Sequence, residues 1–115
     1  LALGTQTVGS VIRPAAFCGI VGYKPSSGRI PKDGIVDYSP TIDTLGLFTQ
    51  DVEGMAIAAS VLCAGWQASN PSVRPTVGVP DGPYLEQASS EGRGAFERQI
   101  AALEAAGYRV VRLPM

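Results

Sequence analysis

Ser10 closes a stretch, Gly4-Thr5-Gln6-Thr7-Val8-Gly9-Ser10, whose residue types suit nucleophilic chemistry. A serine at a strand-to-helix turn exposes its hydroxyl. Gly4 and Gly9 allow backbone geometry that side chains forbid, so successive N–H groups beside Ser10 can converge on one point. An oxyanion hole needs that arrangement, because fixed donors meet developing negative charge without reorganising. Strand, small-residue turn and helix also describe an ordinary connection in an α/β protein, so the pattern alone leaves both readings open. The chain holds no histidine, which excludes a Ser-His-Asp triad within it and any His-based metal site. A serine nucleophile here needs a different base.

The elements that must position Ser10 follow from its flanks. Leu1-Ala2-Leu3 reads as the end of a buried strand, and Val11 to Phe17 as a short helix in which Pro14 falls in the first turn and Gly19 ends the run. Ile20 to Lys24 has the β-branched and aromatic content of a buried strand closed by Pro25. Residues 26–40 are dense in Gly, Pro, Ser and Asp and predict a long ordered loop, of the kind that usually carries something. Leu45 to Thr49 predicts another strand. Asp51 stands where an N-cap belongs, with Glu53 in the first turn, and the helix it opens runs to about Cys63 with Val52, Met55, Ala56, Ala59, Leu62 and Cys63 on its buried face. Gly65 to Pro75 is the candidate boundary or crossover. Beyond it, Thr76 to Val79 predicts a strand, Pro80 to Tyr84 a turn, and Ser89 or Ser90 caps a helix from about Glu91 to Ala106 with Phe96, Ile100 and Leu103 as its stripe. Gly107 ends that helix, and Tyr108 to Leu113 returns as a strand. Strand, helix and strand with short connections make a βαβ unit with parallel pairing and a right-handed crossover. The expected class is α/β, a mixed, mostly parallel sheet with helices on its faces.

Composition bounds the function. The 115 residues make one modest domain's worth of chain, enough to bury about two-thirds of the unfolded surface. The opening inside an apolar run and the ending on a strand-like segment predict a fragment, incomplete at both ends, of a single larger domain: a core over 1–65 and a strand-helix-strand unit over 76–115. Nine basic against ten acidic residues give a net charge of −1, and no Lys/Arg cluster supplies the field that nucleic acid binding needs. No apolar run has the length to cross a bilayer, and no secretory signal pattern opens the chain. Cys18 and Cys63 lack C-x-x-C spacing and read as buried free thiols, which predicts a reducing, cytoplasmic setting. Gly19 to Lys24 is too short for a phosphate-binding loop, and no Ser/Thr follows the Lys. No nucleotide, cofactor or metal is expected.

From Gly4 to Arg29 the chain resembles the central segment of the amidase signature family. The matches are Gly9, Ser10, Pro14, Cys18, Gly19, Gly22, Lys24, Pro25, Gly28 and Arg29 in fixed spacing. Pro40 to Gly46, followed by Asp51-Val52-Glu53, looks like the family's next block. The resemblance implies a large mixed sheet sandwiched by helices and a hydrolase that cleaves a carboxamide C–N bond through an acyl-enzyme. It implies Ser10 as the nucleophile of a Ser, cis-Ser, Lys triad, and the N–H groups of Thr7, Val8, Gly9 and Ser10 as the oxyanion hole. The catalytic Lys and the cis-Ser belong to an upstream segment that these residues do not include, and Lys24 does not match the catalytic lysine. Arg13 and Asp43 are expected as structural support, tied as a charge pair or lying apart as a solvated Arg and a turn Asp. Val8 departs from the glycine that most members carry, and a β-branched residue is costly there if the turn needs positive φ. The implied partner is a small amide substrate. A homo-oligomer and an amidotransferase assembly are both compatible with the resemblance, since the ammonia-releasing glutaminase component of an amidotransferase shares these motifs. A non-catalytic scaffold is the third reading.

Overall fold

A computed structural model of the chain describes residues 1–68 and 73–115. Its contacts divide it into two units, Leu1–Ser69 and Asn70–Met115, and the predicted boundary region Gly65 to Pro75 spans the division, with 69–72 outside the described residues.

In the first unit, β1 (Ala2–Gln6), β3 (Thr44–Thr49) and β2 (Val21–Tyr23) form a sheet in the order β1-β3-β2. Both pairings are antiparallel, with Gly4 opposite Gly46, Gln6 opposite Thr44 and Gly22 opposite Phe48. Successive residues of a strand face opposite sides of the sheet, and β3 uses this to carry two different surfaces. Leu45 and Leu47 join Ile30, Met55, Ala58, Ala59 and Cys63 in the buried core, with Val21, Tyr23, Leu62 and Trp66 packed against it. Tyr23 and Trp66 meet edge to face at 6.3 Å. The other surface is lined by glycine. A Cβ on Gly46 would lie 2.9 Å from Val11 Cγ2, and one on Gly22 would lie 2.6 Å from Ala15 Cβ, so α1 (Ile12–Cys18) presses directly onto the backbone there.

The core side is covered by α2 (Val52–Leu62), whose N-cap is Asp51; its side chain accepts from the Gly54 N–H at 2.7 Å. The expected stripe is shifted. Met55, Ala59 and Cys63 are buried as anticipated, but Ala58 joins them while Val52 and Ala56 lie exposed. Two further sequence expectations are corrected. Leu1, Ala2 and Leu3 are exposed, since β1 is an edge strand and no element of the unit covers them. Cys18 is exposed while Cys63 is buried. The buried face of α1 is Val11 and Ala15, and left-handed Gly19 (φ 62°) turns the chain away before another turn of helix can cover the thiol.

In the second unit β4 (Val77–Asp81) pairs parallel with β5 (Val110–Pro114), joined through the short helix α3 (Pro83–Glu86) and α4 (Ser90–Ala105). Parallel pairing is confined, among the described residues, to these two strands. Ser89 caps α4 by accepting from the Gly92 N–H, Ile100 is buried with Phe96 and Leu103 partly covered, and Gly107 (φ 83°) ends the helix. The turn predicted over Pro80 to Tyr84 is instead the end of β4 and the start of α3, because Pro80 and Asp81 still pair with β5.

Candidate active site

Ser10 lies in the turn between β1 and α1, exposed, one residue before fully buried Val11. Val11 is the anchor. Its side chain sits against Gly46 and Gly22, so the two glycines set how low the head of α1 rides on the sheet and thereby where Ser10 stands. The Arg13 N–H donates to the Gly9 carbonyl at 2.9 Å, which draws Gly9 and Ser10 into the first helical turn.

The cap of this helix is not local. Val11 occupies the N-cap position and provides no side-chain acceptor; Gln6, buried at the end of β1, reaches up instead. Its Oε1 accepts from the N–H groups of Val11 (2.9 Å) and Ile12 (3.0 Å), and its Nε2 donates to the Val8 carbonyl at 3.1 Å. Two donors facing one atom and a carbonyl facing the other leave a single orientation for the carboxamide. The turn is also held from the loop that precedes β3. The Thr7 hydroxyl donates to Asp43 Oδ1 at 2.6 Å, while Asp43 Oδ2 accepts from the N–H groups of Tyr38 (2.6 Å) and Ser39 (2.9 Å). The strand register dictates the first contact. Gln6 opposite Thr44 makes Thr7 and Asp43 the next pair beyond the ladder. Asp43 is only 3% exposed, and the Thr7 hydroxyl and the two N–H donors hold its carboxyl below the usual carboxylate range despite burial, which opposes them.

Each predicted site residue can now be placed. Thr7, Val8, Gly9 and Ser10 are contiguous in the turn, and no described hydrogen bond uses the N–H of Val8, Gly9 or Ser10. Val8 is 88% exposed and is not at positive φ, since no described non-glycine residue is; the strain feared for valine at this position does not arise. Arg13 is exposed, and the ion pairs among the described residues, Lys32–Asp37 and Arg112–Glu97, include neither it nor Asp43. Arg13 and Asp43 are therefore not brought together as a charge pair; Asp43 serves the turn through Thr7. Lys24 donates to the Pro25 carbonyl at 2.7 Å, a contact within its own loop.

The comparisons with known proteins agree in kind. The family model described as "Amidase" matches residues 1–115. The chain belongs to the amidase family. It is 36% identical to the A subunit of the glutamyl-tRNA(Gln) amidotransferase of Syntrophus aciditrophicus, over 94% of this chain and 26% of that protein. With the protein of the same name from Aliarcobacter butzleri the identity is 34%, over 99% of this chain and 28% of the relative. A solved structure titled "Crystal structure of amidase" superposes with a TM-score of 0.84 at 34% identity, covering 97% of this chain and 26% of that one. The mixed α/β architecture is thus a part of the amidase fold, and the chain spans about a quarter of the length of the relatives it matches.

Among the described residues of this amidase chain no group of three or more His, Cys, Asp or Glu side chains is placed to hold a metal, and no helix is long and apolar enough to cross a membrane. A hollow of about 460 Å³ beside α2, lined by Leu1, Thr49, Asp51, Ile57 and Val61 among others, shares no residue with the turn at Ser10. It is mostly apolar, and its Thr49 hydroxyl donates to the Asp51 carbonyl while the Asp51 carboxylate caps α2. The residue that sequence reasoning passed over is Gln6. Its only signal was a long side chain able both to donate and to accept beside a turn of small residues, and Thr7 and Ser10 in that turn looked the nearer caps for α1, although neither caps it.

Proposed function

We propose that this chain is the nucleophile-bearing part of a longer amidase that hydrolyses a carboxamide C–N bond through an acyl-enzyme on Ser10. The observation that carries the reading is the turn itself: an exposed serine at the head of a seated helix, beside N–H groups that no described residue takes up. Ser10 Oγ attacks the amide carbonyl carbon, and its proton passes to a base outside these residues, a lysine acting through a second serine. The N–H groups of Thr7, Val8, Gly9 and Ser10 receive the oxyanion; each well-aimed donor in such a site lowers the barrier by about 3 kcal/mol. Collapse of the tetrahedral intermediate breaks the C–N bond and releases the protonated amine or ammonia. Water then displaces Ser10 from the acyl group to give the carboxylic acid. The substrate is a small amide; nucleic acid and membrane contacts are not part of the reading, and the setting is cytoplasmic.

Relatives named as A subunits of glutamyl-tRNA(Gln) amidotransferase favour a second version of the same chemistry, in which glutamine is the amide and the ammonia goes to partner subunits. A panel of glutamine and simple amides separates the two. The scaffold reading loses its main support with the unstrained backbone at Val8. In the full-length protein, Ser10→Ala should abolish turnover and leave substrate binding largely intact, because only the covalent step needs the hydroxyl. An alanine variant turning over at the wild-type rate would remove Ser10 from the mechanism.

A further inference from the structure

A cap for α1 needs only an acceptor, yet Gln6 commits both ends of its carboxamide to the turn. Oε1 holds the N–H groups of Val11 and Ile12, on the helix side of Ser10, and Nε2 holds the Val8 carbonyl, on the strand side. A trans peptide unit points its C=O and N–H in opposite directions, and the described peptides are all trans. With the Val8 carbonyl drawn onto Gln6, the N–H at the other end of that unit, belonging to Gly9, is turned away from Gln6, and no described group takes it up. We infer that Gln6 is a positioning residue for acyl transfer, whose carboxamide locks the Val8–Gly9 peptide so that the Gly9 N–H is presented to the oxyanion. This rests on the proposal that Ser10 is the nucleophile.

The side-chain chemistry makes the role specific. A carboxylate accepts from Val11 and Ile12 equally well but cannot donate to the Val8 carbonyl; an ammonium donates but cannot accept; a hydroxyl on a shorter stem does not span from the end of β1 to both sides of the turn. Gln6 is 6% exposed, so water does not readily replace a lost contact. If the Val8–Gly9 peptide is released, it can rotate and withdraw one donor from the site without disturbing the sheet or the helix.

Gln6→Glu separates the two functions, since it keeps the cap and loses the lock. In the full-length enzyme it should lower kcat about 10²-fold, the usual effect of removing one oxyanion donor. The affinity for a substrate-derived aldehyde, which adds Ser10 Oγ to its carbonyl carbon and places its oxygen in the hole, should fall by the same factor. The affinity for an unreactive substrate analogue should hardly change, although the melting temperature falls because a buried carboxylate oxygen then faces the Val8 carbonyl. Gln6→Met, of similar volume, should show the same kinetic loss with a lower melting temperature, because the cap goes too. Wild-type kcat in a folded Gln6→Glu enzyme overturns the inference. So does a parallel loss of kcat and analogue affinity in that variant, and so does failure of both variants to fold, each of which makes Gln6 a structural cap alone. Ser10→Ala measured alongside tells the two proposals apart: if it stays active the nucleophile assignment fails, whereas an inactive Ser10→Ala beside a fully active Gln6→Glu removes the role of Gln6 only.

Discussion

Gly46→Ala should lift the head of α1 off the sheet and displace Ser10 without touching Ser10 itself. The added Cβ would lie 2.9 Å from the Tyr23 carbonyl oxygen, 2.9 Å from Val11 Cγ2 and 3.0 Å from Val11 Cγ1. Carbon atoms in ordinary contact are about 3.5–4.0 Å apart, so something must move by on the order of 0.6 Å. The Tyr23 oxygen belongs to the β2 backbone, and Val11 is fully buried, so the helix is what can yield. Overpacking of this kind costs about 1–3 kcal/mol. A displacement near 1 Å at a reacting group costs about 10²-fold in rate, so a shift of this size predicts a loss of kcat of roughly tenfold with a smaller change in KM. Urea unfolding and steady-state kinetics of the full-length enzyme read both effects. Val11→Ala removes the two methyl groups that meet the new Cβ, so the double variant should be destabilised by less than the sum of the single changes. A Gly46→Ala protein with unchanged stability and full activity, or a double variant with strictly additive losses, would refute the idea that the glycine face sets the height of Ser10.

Val8→Gly should leave the rate on a small amide nearly unchanged and broaden acceptance of bulkier ones, because the valine is unstrained and exposed in the turn; a rate gain on the small amide would mean that its backbone obstructs the oxyanion site after all. Asp43 should make stability depend on acid. Its folded-state pKa is depressed by the Thr7 hydroxyl and the N–H groups of Ser39 and Tyr38, so its contribution is complete above the unfolded carboxylate value of about 4 and disappears as pH falls through the lower folded value. Unfolding followed from about pH 6 down to about pH 2 should give a shallower acid dependence for Asp43→Asn than for the wild type, and identical slopes would show that the carboxylate is not held by these donors.

The sequence by itself determined what acts over a few residues. Asp51 and Ser89 each cap a helix through an N–H three positions on, and Gly19 and Gly107 each end a helix in the left-handed region. A side chain bonding a backbone group so close in the chain depends on local geometry alone, which is why these features were legible. The fixed spacing from Gly4 to Arg29 likewise placed Ser10 in its turn and pointed to the family. Tertiary structure decided the rest. Antiparallel pairing of β1 with β3 sets Gln6 opposite Thr44 and so brings Thr7 to Asp43 across 36 positions; residue types do not state a register, and by residue type alone Asp43 was as well read as paired with Arg13 or as a turn Asp standing apart from it. The α2 stripe shifted from Val52 and Ala56 to Ala58, and Cys18 came to the surface, because burial depends on which neighbouring element covers a face. By sequence Gln6 is one more residue of the stretch between Leu3 and Ser10, with no role of its own. Only the approach of α1 to a glycine-lined sheet, close enough for one side chain to meet the N–H groups of Val11 and Ile12 and the carbonyl of Val8, made it the brace of the turn.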